Sequence, residues 1–378
     1  MKLTVDENIP QGKEAFGKFG EIVLSNGRKI TNDMLKDTDV LIVRSITNVN
    51  RELLKNTNVR FVGTATIGTD HIDKEYLANE NIRFADAAGC NAYSVAEYII
   101  CSMLQYLVPA DIKFKDTSIG IIGCGNVGSK VAGFVKSLGM KVFMNDPPLQ
   151  RKGGDNIYCS FDDAAAADIV TFHVPLNKTG IDKTYHLLNE TNIDKIKSGA
   201  LLINSSRGPV IKNDALLKRL KDRSDLFTVL DVWENEPNFD PELLKFVNYG
   251  TPHIAGYSFE GKMNGTKIIH DKLCEFLNSD SDWQPLYPEI EKKNFQFNSN
   301  NNFEIELNKL TKEIYGISFD SDNLKKSLSF DNDSRGKYFD ELRKKYYTRR
   351  EFNNYSVEII PQNEEVKNKL KALRFNIK

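Results

Sequence analysis

Thr117-Ser-Ile-Gly-Ile-Ile-Gly123-Cys-Gly125-Asn126-Val127-Gly128 decides the fold of this chain. Thr117 to Gly123 reads as a buried strand that runs straight into a Gly-x-Gly-x-x-Gly turn. A helix follows, because Val127, Val131, Val135 and Leu138 fall on one face. A second strand then runs from Lys141 and ends on the acid Asp146, about twenty residues after the glycines. Alone, three spaced glycines say little. Between a strand and a helix, with that acid in place, they specify a dinucleotide site in an α/β sheet. Gly123 permits the tight turn, Gly125 admits the pyrophosphate, and Gly128 lets the helix lie close to the sheet. Asn126 and Val127 open that helix, whose N–H groups and positive potential face the phosphates. Asp146 accepts from the ribose hydroxyls and repels a 2′-phosphate, which predicts NAD rather than NADP.

Downstream, three apolar runs each end on a polar group. They read Ala200-Leu-Leu-Ile-Asn-Ser-Ser-Arg207-Gly-Pro, Val229-Leu-Asp-Val-Trp-Glu-Asn-Glu236-Pro and Gly250-Thr-Pro-His253-Ile-Ala-Gly-Tyr. Loops at the carboxyl ends of strands converge on one crevice in an open α/β sheet. A guanidinium, a carboxylate and an imidazole meeting there suit the oxidation of an alcohol beside a carboxylate. The cation anchors the carboxylate, the imidazole takes the hydroxyl proton, and the acid orients the imidazole and supports its charge. On chemistry alone, Glu234 competes with Glu236 for the last role. A surface arginine and a histidine hydrogen-bonded at a strand end are the bland alternatives.

Outward from this centre, the chain divides into three. Residues 1–93 alternate short apolar runs with helix-competent segments, and Lys2–Val5, Glu21–Leu24, Asp39–Val43, Val59–Gly63 and Ile82–Ala85 read as strands of a parallel sheet. Residues 257–280 return to this substrate-binding domain, which makes it a split, flavodoxin-like unit. Residues 94–256 form the doubly wound Rossmann-type domain. The helix from Asn91 to Leu107 links the two, and paired crossovers supply a hinge. Residues 281–378 read as a small α+β domain that pairs two subunits. Its strands are predicted at Phe295–Phe297, Phe303–Leu307 and Val357–Ile360, and its helices around Leu310–Tyr315 and Phe339–Tyr346.

The order and spacing of Arg207, Glu236 and His253 resemble the D-isomer-specific 2-hydroxyacid dehydrogenases. The likeness extends to Val5-Asp-Glu-Asn, Val43-Arg44-Ser45-Ile-Thr, Phe61-Val-Gly-Thr-Ala-Thr66-Ile-Gly-Thr-Asp-His71, Gly89-Cys-Asn-Ala and His253-Ile-Ala-Gly256-Tyr257-Ser-Phe-Glu-Gly261-Lys262. Phe339-Asp-Glu-Leu-Arg-Lys-Lys-Tyr-Tyr-Thr-Arg349-Arg350 resembles the extra C-terminal domain of one branch, whose substrate is phosphorylated. Ser205-Ser206 departs from the Ala-Cys common in relatives. The resemblance implies an NAD-dependent oxidation of a phosphorylated 2-hydroxy acid and selects Glu236 over Glu234. It also implies cofactor contacts from Asp231, near the carboxamide, and from the backbones of Ser205 and Gly256. Arg44, Ser45, Thr66 and Tyr257 are the expected substrate contacts. Lys262 is a further candidate, as is Arg349 or Arg350 from a neighbouring subunit. Two rivals remain: a sibling dehydrogenase acting on another acid such as 3-phosphoglycerate, and a non-catalytic NAD-sensing protein on the same fold.

Bulk properties exclude several classes. With 378 residues, 40% hydrophobic and 27% charged, the chain is an ordinary globular protein of more than one domain. A net charge of −1 creates no field to attract nucleic acid or an acidic membrane. The basic run at 343–350 is flanked by Asp340, Glu341 and Glu351 and reads as a solvated helix face. Cys90, Cys101, Cys124, Cys159 and Cys274 are scattered, which suits free thiols in the cytoplasm, and no Cys/His cluster predicts a metal. The opening Met-Lys-Leu-Thr-Val-Asp-Glu reads as a first strand rather than a signal peptide. His71 is expected to open a helix capped by Asp70.

Overall fold

Short apolar strands organise the first sheet, its three central ones buried on both faces. β1 (Lys2–Asp6), β2 (Glu21–Ser25), β3 (Val40–Val43), β4 (Phe61–Thr64) and β5 (Arg83–Asp86) pair in parallel in the order β2-β1-β3-β4-β5. This is the flavodoxin-like order. Leu3 of β1 lies opposite both Ile22 and Val40. The two-residue period assigns Val40 and Ile42 to one apolar layer and Leu41 and Val43 to the other. The helix Phe259–Leu277 covers one layer. Its N-cap Ser258 accepts from Gly261 N at 2.8 Å, and it buries Ile269 and Leu273. Gly63 in β4 allows that approach, since a Cβ there would stand 2.6 Å from Ile269 Cγ2.

The computed structural model describes residues 1–153 and 157–378. They fall into two compact units, Met1–Asn91 with Ser258–Glu289, and Ala92–Tyr257 with Ile290–Lys378. In the second unit, β6 (Ser118–Ile122), β7 (Lys141–Asn145), β8 (Ile169–Phe172), β9 (Leu201–Asn204), β10 (Phe227–Leu230) and β11 (Tyr249–Gly250) run in parallel in the order β11-β10-β9-β8-β6-β7. A bridge from Met144 to Tyr158 extends the sheet beyond β7. Strand order therefore reverses between β6 and β8, where doubly wound sheets bind nucleotides.

The C-terminal segment differs from expectation in two ways. Its strands β12 (Asn294–Asn298), β13 (Ser356–Ile360) and β14 (Asn376–Ile377) are all parallel and alternate with helices, so it is βα-built rather than α+β. Phe303–Leu307, expected as a strand, instead opens the helix Phe303–Ile314. Alternation was misleading there because Asn302 caps Ile305 N at 3.0 Å, and buried Glu304 accepts from Phe114 N at 3.0 Å while Ile305 is exposed. The segment also shares a core with the dinucleotide sheet. Leu307, Leu310 and Phe352 join Ile119, Ile203 and the helix Ala92–Leu107 in one apolar cluster. That helix is apolar nearly all round because it is buried nearly all round.

Candidate active site

The glycine turn has the geometry its sequence predicts. Gly123 sits at φ +92°, with β8 and its exit so close that a Cβ would meet His173 C at 2.8 Å. A Cβ on Gly128 would overlap the Gly123 carbonyl, so the helix Asn126–Ser137 can start only with glycine there. Gly125, by contrast, faces open space, and no side chain caps the helix. Asn126 is exposed and Val127 half-buried at this uncapped end. Those observations fit a pyrophosphate held by backbone N–H groups. Asp146 Oδ2 accepts from Cys124 N at 2.8 Å and Oδ1 from Leu149 N at 3.0 Å, so the acid also ties the turn to the next helix. Its remaining lone pairs suit ribose hydroxyls.

Three loops at the carboxyl edge of β9, β10 and β11 are stitched together. His253 Nδ1 lies 2.7 Å from Glu236 Oε2, and Glu236 Oε1 accepts from Trp233 N at 2.9 Å. Trp233 Nε1 donates to the Thr251 carbonyl at 3.0 Å, which joins the Glu236 loop to the His253 loop. Gly208 presses the Arg207 loop onto the Trp233 backbone, where any Cβ would overlap the Trp233 carbonyl. Asn204 shapes the Arg207 turn, accepting from Ser206 Oγ at 2.8 Å and donating to the Arg207 carbonyl at 2.9 Å. Arg207 Nη1 in turn donates to the Ser206 carbonyl at 2.7 Å. His253 holds a left-handed backbone at φ +57°, which costs a non-glycine residue roughly 1–2 kcal/mol. Its N–H to the Asp231 carbonyl, at 2.8 Å, helps to hold it there. Strain of this kind concentrates at working sites.

Burial raises the Glu236 carboxyl, but the charge and hydrogen bond of His253, the charge of Arg343 and the Trp233 N–H together hold it below the usual carboxylate range. Glu234 is spent elsewhere, 2.6 Å from His186 Nε2 and accepting from Asn213 N at 3.1 Å. Of the two acids, Glu236 is the one that meets His253. Asp231, expected beside the cofactor, is buried, and its carboxylate accepts from Thr251 Oγ1 at 2.6 Å, Ile254 N at 2.7 Å and Ala255 N at 2.9 Å. It shapes the His253 loop. Gly256 and Tyr257 continue that loop half-exposed, and Ser205 is half-buried with its hydroxyl 3.5 Å from His173 Nδ1. Burial pushes the His173 imidazole down to about 3, so it stays neutral beneath the turn.

In the first unit, Arg44 and Ser45 follow β3 at its carboxyl end, and Thr66 follows β4, its hydroxyl 2.9 Å from Thr64 Oγ1. His71 does not open a helix. It bonds Thr64 at 3.0 Å, while Asp73 rather than Asp70 caps the helix Lys74–Asn79, because Asp73 accepts from Tyr76 N at 2.9 Å. Arg349 and Arg350 are not poised for a neighbour. Arg349 is buried against Ser94 Oγ and the Ala255 carbonyl, and Arg350 donates to Asn354 at 2.9 Å. Sequence reasoning missed Arg343, Asn204 and the His186–Glu234 pair. Gly336, inside the helix of Arg343, was the one available sign of a close approach. Among the described residues no cluster of His, Cys, Asp and Glu could hold a metal, and no helix is long and apolar enough to cross a membrane.

Residues 107–255 match the family described as D-isomer specific 2-hydroxyacid dehydrogenase, NAD binding domain, and residues 286–373 match a Domain of unknown function (DUF3410). The chain is 40% identical over 369 residues to the erythronate-4-phosphate dehydrogenase of Tolumonas auensis, covering 97% of each. It is 39% identical to that of Proteus mirabilis, covering 100% of this chain and 99% of the relative. Among solved structures, NAD+-bound 3-phosphoglycerate dehydrogenase of Entamoeba histolytica superposes with a TM-score of 0.63 at 25% identity, over 74% of this chain and 95% of that one.

Proposed function

The chain belongs to the erythronate-4-phosphate dehydrogenases, within the D-isomer-specific 2-hydroxyacid dehydrogenases, and from that premise we propose how its residues divide the work. It is an NAD-dependent dehydrogenase that oxidises the C2 hydroxyl of 4-phospho-D-erythronate to (R)-3-hydroxy-2-oxo-4-phosphooxybutanoate, a step of pyridoxal 5′-phosphate biosynthesis. The observation that carries the assignment of roles is the His253–Glu236 pair at 2.7 Å, sewn to the Arg207 loop through Trp233. Arg207 pairs with the substrate carboxylate through its planar fork. His253 has Nδ1 committed to Glu236, so Nε2 is the atom that takes the hydroxyl proton. Glu236 fixes the tautomer and supports the imidazolium that results. When bound, NAD supplies the hydride acceptor. Turnover of purified protein with 4-phosphoerythronate and NAD, set against a panel of other 2-hydroxy acids, tests this reading directly.

Asp146 carries cofactor choice in this scheme, with Gly123, Gly125, Asn126, Val127 and Gly128 cradling the phosphates. Asp146→Asn keeps an oxygen for the helix cap and removes the charge that repels a 2′-phosphate. The expected result is about tenfold weaker NAD binding and a smaller gap between NAD and NADP. Equal use of both cofactors by the wild type would exclude the assignment.

We also propose a cytoplasmic homodimer. Five free cysteines suit a reducing compartment. The apolar interior of the C-terminal segment is covered by its own subunit, yet Phe319 is 60% exposed and stacks edge-on with Tyr347, itself 38% exposed. Such side chains suit a subunit interface. Light scattering at micromolar concentration should give twice the 42.9 kDa chain mass, and a fully active monomer would refute the dimer.

A further inference from the structure

The helix Asn332–Lys344 lies on the loop that carries Glu236, through residues that share one helical face. Gly336, Phe339 and Arg343 are spaced i, i+3, i+7. A Cβ at Gly336 would collide with the Asn238 side chain and come within 3.6 Å of Pro237 Cγ. Phe339 is fully buried, its ring 5.7 Å from that of Phe239. Arg343 then donates from Nη2 to the Tyr257 hydroxyl at 2.8 Å, with its guanidinium 5.5 Å from the Tyr257 ring. Its Nε is buried with no hydrogen-bond partner. A second, separate contact comes a few residues later. Arg349, its guanidinium 4.6 Å from the Tyr315 ring, donates to the carbonyl of Ala255, two residues past His253.

Arg343 is half-buried, yet its Nε is sealed from solvent without a partner, which is costly, and packing alone would be served better by an apolar side chain. We propose that this helix completes the active site within its own subunit, with Arg343 as the positioning residue that fixes the Tyr257 hydroxyl and supplies positive charge to Glu236. The inference rests on the functional reading above and adds to it a working part that lies outside the dinucleotide domain. The groups facing Glu236 are His253 from the loop after β11, the Trp233 N–H of its own loop, and Arg343, behind which stand Tyr257 and Asp340. Loss of the Arg343 charge therefore removes one of the groups that hold the Glu236 carboxyl low, so the hydrogen-bonded pair as a whole takes up a proton more readily.

The test compares Arg343→Lys with two neutral variants, Arg343→Gln and Arg343→Met, the latter filling similar space. Two readouts are used: the pH profile of kcat/KM for oxidation, and the titration of the Glu236 carboxyl by carbon NMR in protein without substrate. The neutral variants should move the acid limb and the carboxyl titration up by roughly one pH unit. Arg343→Lys should keep the limb in place but lose about tenfold in kcat/KM, because the Nη2 hydrogen bond to the Tyr257 hydroxyl and the planar contact with its ring are gone. Neutral variants with the wild-type limb and the wild-type carboxyl titration would overturn the proposal. Should neither neutral variant fold, the lysine variant decides, since wild-type kcat/KM there would show the Tyr257 contact to be dispensable and overturn the proposal. Failure of the wild type to oxidise 4-phosphoerythronate would instead strike the functional reading, and the NMR titration remains interpretable in that event.

Discussion

Replacing His253 with alanine is expected to lower the rate of 2-hydroxy acid oxidation by about 10²–10⁴-fold while leaving NAD affinity near the wild-type value. The imidazole acts on the hydroxyl proton and has no part in the glycine turn, which is built from β6 and the helix after it. The Asp231 carbonyl still accepts from the N–H of residue 253, and the Asp231 clamp on Ile254 and Ala255 does not involve the side chain. The loop should therefore persist, and isothermal titration with NAD would confirm it. The pH dependence follows with a definite sign. Glu236 is held below the usual carboxylate range, so it stays ionised across the neutral region and contributes no limb there. Oxidation needs the unprotonated imidazole and should rise with pH, whereas reduction of the 2-oxo acid needs the imidazolium and should fall. Flat profiles in both directions would remove His253 from the chemistry.

Much of this arrangement was legible in the residues because the chain punctuates itself. The five strands of the first sheet and the strand–turn–helix at Gly123 are short apolar runs bounded by turn residues, and they stand within a residue or two of their expected places. The Arg207, Glu236 and His253 loops were legible for a related reason: each polar group ends an apolar strand, and parallel topology sends all such ends to one edge. Phe303–Leu307 was misread because a side-chain cap and a buried hydrogen-bonded Glu304 outweigh alternation over five residues. Glu236 and Glu234 could not be separated by spacing, since what distinguishes them is which histidine each meets across the fold. Arg343 was hidden in a basic run that looks like a solvated face. Its partial burial depends on Gly336 and Phe339 docking on a loop about a hundred residues earlier, a long-range fact that local pattern does not carry.

The substrate's distal phosphate should dominate specificity, with 4-phosphoerythronate oxidised about a thousandfold better in kcat/KM than erythronate. A phosphate at C4 adds up to two negative charges, which an enclosed site must meet with cations or N–H and O–H donors. Arg207 is committed to the carboxylate in the proposed mechanism. Arg349 is buried against Ser94 and Ala255, so its guanidinium is already committed. Arg44 is the strongest remaining candidate, because it directly follows the buried strand β3, the carboxyl end of a parallel strand being where such sheets meet their ligands. Ser45 beside it and Thr66 after β4 supply hydroxyls from the same edge of the same sheet. A cation built for a phosphate is left unpaired when the phosphate is absent, and that loss, about 4 kcal/mol for a thousandfold, is larger than any apolar contact would impose. Arg44→Ala is therefore expected to erase most of the preference by slowing the phosphorylated acid while leaving erythronate nearly unchanged. Steady-state kinetics on both acids with both proteins measures it. Equal turnover of the two acids by the wild type would sink the phosphate-recognition argument, and an undiminished preference in Arg44→Ala would move the phosphate to other donors.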